Sequence, residues 1–204
     1  LIAASAALVA VLVAPVHSAT SAAALDIPSG AYALDKNHAS VTWRVMHMGL
    51  SNYTARFAKF DASVNLDAAA PAKSSVTATI DPTSVRTDFP GQEDFDGKIG
   101  KDERILNGAK FPEIKFASRK IEVVGLKQLK ITGDLTMLGI TKPVTLDTTI
   151  VGTLKSHPFL KKAAFGISAR GTLKRSDFGL AYPAPPGLGD AVELQIEAEF
   201  LQAQ

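Results

Sequence analysis

An all-β fold of eight antiparallel strands, closed as a barrel or stacked as a sandwich, is the architecture that this chain predicts. Three observations carry the prediction. Residues 133–147, GDLTMLGITKPVTLD, alternate apolar and polar side chains on both sides of a Gly-containing break. Near the end of the chain Val192, Leu194, Ile196, Ala198 and Phe200 share one parity, while Glu193, Gln195, Glu197 and Glu199 share the other. Helical spacing is confined to one short stretch, where Phe95, Ile99 and Leu106 stand four and seven residues apart.

Taken in order, the first strand places Val41, Trp43, Val45 and His47 on one face. A second covers residues 53–66, where Phe60, Ala62, Val64 and Leu66 keep one parity and Phe57 the other, so a β-bulge is expected at Ala58 or Lys59. Val76, Ala78 and Ile80 mark a third strand, ended by Asp81-Pro82. The helical insert follows between strands three and four, and Gly97, Gly100 and Asn107-Gly108 favour two short helical pieces over one long helix. Strands then resume over residues 113–124, 126–138, 143–153 and 163–174, with residues 139–142 as a connection. The Pro-rich stretch 182–189 forms a loop before the last strand, 191–201.

Composition narrows the function classes. Among 204 residues there is no cysteine, which excludes disulfides, thiolate metal sites and a thiol nucleophile. A formal charge of +2 without a basic run argues against nucleic acid as a partner. The first 16 residues are almost wholly Ala, Val, Leu and Ile, and no charge precedes Asp26. This run is shorter than the ~20 residues that span a bilayer, and small residues follow it. Residues 1–24 are therefore expected to be a signal peptide whose basic n-region precedes Leu1, cleaved after Ser18 or Ala24, with a retained anchor as the alternative. Residues 25–204 are expected to form one domain, exported to the periplasm or secreted.

No catalytic residue is assigned. Asp177-Phe178-Gly179 has no accompanying kinase motifs, and residues 91–99 miss the spacing and Ser/Thr of a P-loop. Asn52-Tyr53-Thr54 is a glycosylation sequon by pattern alone, and G-x-S-x-G is absent. Of the four histidines, His17 lies in the signal segment, and His38, His47 and His157 lack the spacing of a zinc site, so no metal or cofactor is expected.

Apolar residues of the strand faces are candidates for lining a cavity, with plain core as the alternative for each. They are Trp43, Val45, Phe57 and Ile80 in the first half, and Phe116, Leu135, Met137, Val144, Leu146, Phe165 and Ile167 in the second. Phe95 and Ile99 on the insert would close one end. His38, His47 and Arg175 are candidates for a polar head group; for Arg175 an ion pair with Asp177 at a barrel corner is the structural alternative.

The order of short motifs resembles the YceI-like polyisoprenoid-binding family. Tyr32, Leu34-Asp35, His38 and Ser40-Val41 open the likeness, followed by His47-x-Gly49, Arg56-Phe57, and Ile80-Asp81 with Ser84-Val85-x-Thr87. Phe111-Pro112-x-Ile114-x-Phe116-x-Ser118, Gly133 to Thr136, Gly139 to Val144 and Arg175 to Leu180 complete it. Ala39, Trp43 and Ala55 stand where Ser, Phe and Gly are usual. The resemblance implies an eight-stranded antiparallel lipocalin-like barrel with a short helical insert. It also implies an exported binding protein whose cavity carries an isoprenoid or other long-chain amphiphilic lipid. Transient membrane contact and a homodimer are compatible with that reading. An exported enzyme acting on a lipid-linked substrate, using Asp35, His38 and His47, is the alternative, and an envelope scaffold a third.

Overall fold

The computed structural model describes residues 24–182 and 187–203. The expected signal segment therefore lies, but for Ala24, outside the described residues. The strand segments are β1 (Gly30–His47), β2 (Ser51–Phe57), β3 (Phe60–Leu66), β4 (Ser75–Ile80), β5 (Val85–Arg86), β6 (Ile114–Val123), β7 (Gln128–Met137), β8 (Ile140–Leu154), β9 (Ala164–Lys174) and β10 (Leu188–Gln202), with one helix, α1 (Phe95–Lys101), between β5 and β6.

They form one antiparallel sheet in the order β10-β9-β8-β7-β6-β4-β3-β1, and β1 pairs back onto β10 to close it. β1 is long enough to pair twice. Gly30–Ala33 meets β3, while Val41–His47 meets β2. β2 and β3 are thus successive halves of one stave, and β5 adds two residues to the edge of β2. Counted in this way the barrel has eight staves.

The interruption between β2 and β3 falls at Ala58 and Lys59, where the parity of Phe57 and Phe60 demands it. Its backbone groups do not go unpaired. Ala58 N–H donates to the Ser84 carbonyl (2.9 Å), Lys59 N–H to Ser84 Oγ (3.0 Å), and Asp81 N–H to the Lys59 carbonyl (3.0 Å). The Pro82–Ser84 turn is thereby tied into the barrel wall.

Two details differ from expectation. β8 begins at Ile140, so the connection from β7 is a two-residue turn of Leu138 (φ 54°) and Gly139 (φ 76°). Such doubly left-handed turns match the twist of the flanking strands, and this lets Ile140 to Lys142 pair instead of looping. The insert also holds one helix rather than two. Asp94 caps α1 by accepting from Gly97 N–H (2.8 Å). Beyond Lys101, the Asp102 carboxylate binds Arg104 N–H (2.9 Å) and the Arg104 guanidinium, and Asn107 takes a left-handed φ of 43°. Side-chain bonds of this kind compete with helix propagation, so turns follow.

The strand directions define two ends. The helix end carries the close of β1 at His47, the Leu138–Gly139 turn and the insert. The N-terminal end carries the start of β1, the β6–β7 and β8–β9 hairpins and the close of β10. Each has its own apolar cluster. Val85, Leu106, Met137, Phe178 and Leu180 belong to the first; Tyr32, Leu66, Phe165 and Phe200 belong to the second. Phe165 stacks on Phe200 and meets Tyr32 edge-on, both with centroids 5.1 Å apart.

Gly133 faces inward on β7, and a Cβ there would sit 2.5 Å from the Ala117 carbonyl oxygen and against the Phe116 ring. Gly133→Ala is expected to destabilise the barrel by about 1–3 kcal/mol, read as a lower Tm in thermal unfolding. An unchanged Tm would mean that the Phe116 ring and the Ala117 carbonyl both move aside at little cost.

Candidate ligand-binding cavity

Alternation along every stave sends one set of side chains inward, and in this barrel that set does not fill the space. A cavity of about 720 Å3 runs along the interior, within the ~300–1,000 Å3 typical of small-molecule sites. Every apolar candidate from the sequence borders it. Trp43 and Val45 contribute from β1, Phe57 from β2 and Ile80 from the end of β4. Phe116 comes from β6, Leu135 and Met137 from β7, Val144 and Leu146 from β8, and Phe165 and Ile167 from β9. Phe95 and Ile99 of α1 border it at the helix end.

Sequence reasoning missed the contribution of β10, although its alternation was the plainest in the chain. Val192, Leu194, Ile196 and Phe200 all line the cavity, and parity alone would have found them. It also missed the paired alanines Ala62 and Ala78, which oppose each other across β3 and β4 and widen the interior.

The lining is graded along its length. At the helix end His47, Tyr53, Lys98, Arg175 and Tyr182 border the cavity, whereas toward the N-terminal end it is bordered by Leu34, Leu66, Ile121, Leu129 and Phe200, with Ser74 and Thr148 as polar company. The helix end is screened by an aromatic row: Phe89 lies 4.8 Å from Phe95, and Tyr53 meets Phe95 edge-on at 6.3 Å. Thr87 fixes α1 beneath this row by donating its N–H (2.9 Å) and hydroxyl (2.6 Å) to Asp96. Arg104 stacks 4.3 Å over Tyr182, and its guanidinium holds the Asp102 carboxyl down at about 2.

Arg175 is buried, with its Nε donating to the Gly189 carbonyl (2.8 Å) and its Nη1 to the Tyr182 carbonyl (3.0 Å). Its Nη2 also reaches the Leu188 carbonyl (3.4 Å). The barrel corner is closed through these carbonyls, since no ion pair joins Arg175 to the exposed Asp177 among the described residues. Burial lowers the affinity of Arg175 for its proton, with partial compensation from Asp190.

The histidines do not converge. His47 lies at the helix end, whereas His38 stands outside the cavity, nine residues back along β1, roughly 25–30 Å at ~3.3 Å per residue. Asp35, His38 and His47 therefore cannot form one acid–base set. Asp35 instead organises a bulge in β1 between Leu34 and Ala39, where its buried carboxylate accepts from Asn37 N–H (3.0 Å) and contacts His38 Nδ1 (2.8 Å). The ligand atoms of Asp35, His38 and Glu199 lie within 4.8 Å of one another, with His38 Nδ1 engaged by Asp35. The hydrogen bond from His38 lowers the Asp35 pKa, and the same bond raises that of His38.

Trp43 carries a singular feature. Its indole Nε1 is buried and has no hydrogen-bond partner among the described residues. An unmade buried donor costs ~1–3 kcal/mol.

Comparison with known proteins agrees with this geometry. The profile of the YceI-like domain matches residues 32–200. Protein YceI of Escherichia coli O157:H7 is 36% identical over 187 residues, 91% of each chain. The crystal structure of the Campylobacter jejuni YCEI protein superposes with a TM-score of 0.68 at 27% identity, covering 78% of this chain and 90% of that one. A polyisoprenoid binding domain from Saccharophagus degradans shares the fold, with a TM-score of 0.60 at 12% identity, over 84% of this chain and 98% of that one.

Two outcomes are expected. Trp43→Phe removes the orphaned donor along with some apolar area, so stability should shift by less than about 1 kcal/mol, while Trp43→Ala should cost about 3 kcal/mol. Equal losses in denaturant titrations would show that the indole N–H is satisfied. For the Asp35–His38 pair, the raised His38 pKa means stabilisation that is complete below the ordinary histidine value of 6.5 and fades as pH climbs through the folded value. The lowered Asp35 pKa means stabilisation that is complete above 3.8 and fades in acid. The Tm advantage of wild type over His38→Gln should therefore be greatest between those values and shrink above about pH 6.5. A pH-independent advantage would contradict the pairing.

Proposed function

The chain belongs to the YceI-like domain family, and from this membership we propose that it is an exported protein that holds and carries an isoprenoid or other long-chain amphiphilic lipid in its barrel cavity. The observation that carries the reading is the cavity's grading, apolar along most of its length and polar at the helix end. An amphiphile with its chain in the barrel and its head near His47 and Lys98 satisfies both halves.

Burial energetics support a carrier without chemistry. Each CH2 taken out of water contributes ~0.8 kcal/mol, so one isoprene unit contributes roughly 3 kcal/mol before ordering costs. A few units suffice for firm retention. The fold shared with a polyisoprenoid binding domain supports the ligand class. The apolar run and small-residue stretch of residues 1–24 support export to the periplasm or beyond.

Protein purified from its own envelope and extracted with organic solvent is expected to release a stoichiometric long-chain species in mass spectrometry. Ala62→Phe combined with Ala78→Phe fills the wide part of the cavity and should lower uptake of added polyprenol at least about tenfold with Tm preserved. An empty native protein that also ignores added polyprenols would remove the proposal.

A further inference from the structure

The β8–β9 hairpin shares exposed apolar side chains with the turns at Met48 and Leu50 and at Val124 and Leu126, and differs from them in combining an aromatic side chain with three lysines. At its tip Phe159 is 85% exposed and Leu160 50%, and on the β8 side Val151 is 62% exposed and Leu154 47%. Large apolar side chains this exposed are costly unless something covers them. The tip is not slack. His157 N–H donates to the Lys162 carbonyl (2.6 Å), and Lys161 N–H to the His157 carbonyl (2.9 Å). His157 Nδ1 accepts from the N–H groups of Phe159 (3.4 Å) and Leu160 (3.2 Å). Lys161, at φ 56°, completes a turn that holds the two apolar side chains outward.

Charge identifies the occupant. Lys155, Lys161 and Lys162 flank the apolar pair in the sequence, and no Asp or Glu occurs anywhere from residue 148 to residue 176. This is a local excess of positive charge in a chain whose net charge is only +2. The carboxylate that answers it, Asp26, pairs with Lys155 at 2.8 Å in full view of solvent, where such pairs are weak. Projecting apolar side chains flanked by lysines match an anionic bilayer interface, with acyl chains for the first and head groups for the second. A protein groove would bury the same apolar pair but would need acidic walls to meet three lysines.

We propose that the β8–β9 hairpin is a membrane-contact finger, in which Phe159 and Leu160 enter the acyl region of an anionic lipid surface while Lys155, Lys161 and Lys162 bind its head groups. The finger stands at the N-terminal end, opposite the helix end where the polar lining residues gather. It rests on the carrier reading for its purpose only, since it would bring the barrel to the compartment from which a lipid chain is drawn.

Flotation with vesicles of phosphatidylcholine alone or mixed with phosphatidylglycerol tests it. The protein should float with the anionic vesicles, leave them at about 0.5 M salt, and lose at least about tenfold in bound fraction in Phe159→Ser with Leu160→Ser. Lys161→Gln with Lys162→Gln should weaken binding to anionic vesicles several-fold. A local reporter guards against a misfolded variant: in a Trp43→Phe background, Phe159→Trp should be quenched by vesicles with brominated acyl chains. Flotation unchanged by the serine pair, or an unquenched indole, overturns the proposal. So does a dimer that the serine pair abolishes without any vesicle binding, which would make a second copy the occupant. None of these outcomes bears on whether lipid is retained in the cavity, so the carrier reading stands or falls separately.

Discussion

Closure of the sheet through the β1–β10 seam is the constraint on which the rest of the molecule depends. Eleven register pairs join these strands, from Tyr32 against Gln202 to His47 against Leu188. Closing a sheet removes its unpaired edges and commits every stave to one inward and one outward face. A slip of one residue at the seam would exchange the apolar face of β10 for its row of glutamates. The cavity is a consequence of this closure. Eight staves set a diameter, and inward residues as small as Ala62 and Ala78 leave it unfilled.

The two ends of the barrel solve different problems. At the N-terminal end a cluster of Tyr32, Phe165 and Phe200 packs the interior, with the Tyr32 hydroxyl donating to the Pro28 carbonyl at 2.7 Å. The helix end is built from segments that are not staves. The Pro82–Ser84 turn satisfies the gap in the wall, α1 leans on it closely enough that a Cβ at Gly100 would lie 2.9 Å from the Pro82 carbonyl oxygen, and Arg175 binds the carbonyls of Tyr182 and Gly189. Polar lining gathers at this end because loops bring side chains whose partners lie outside the apolar ladder.

Much of this was legible in the chain. The parity of Val41, Trp43 and Val45, the break before Phe60 and the helical spacing of Phe95 and Ile99 each reappear as a face, a gap and a helix. Apolar lining followed because inward parity and cavity lining are the same property in an underfilled barrel. Other features were illegible for definite reasons. The first half of β1 carries Asp35, Lys36, Asn37 and His38, whose bulge breaks the alternation that would have marked a strand. His38 and His47 looked equivalent as neighbours in sequence, yet a strand sets nine residues far apart. The exposed tip of Phe159 and Leu160 resembles any short apolar pair until its burial is known.

What the sequence alone determined is therefore everything that depends on period and parity: the strands, their faces, the all-β class and the apolar character of the interior. These are local properties, carried by neighbours two residues apart. Tertiary structure decided the closure onto β10, the cavity's volume and grading, the isolation of Trp43 Nε1, and which partner each of Asp35 and Arg175 took. Closure and the cavity depend on residues more than a hundred positions apart or on space left unfilled, and neither distance nor emptiness has a signature in a linear chain. The partners of Asp35 and Arg175 are near in sequence, but a bulge and a barrel corner select them.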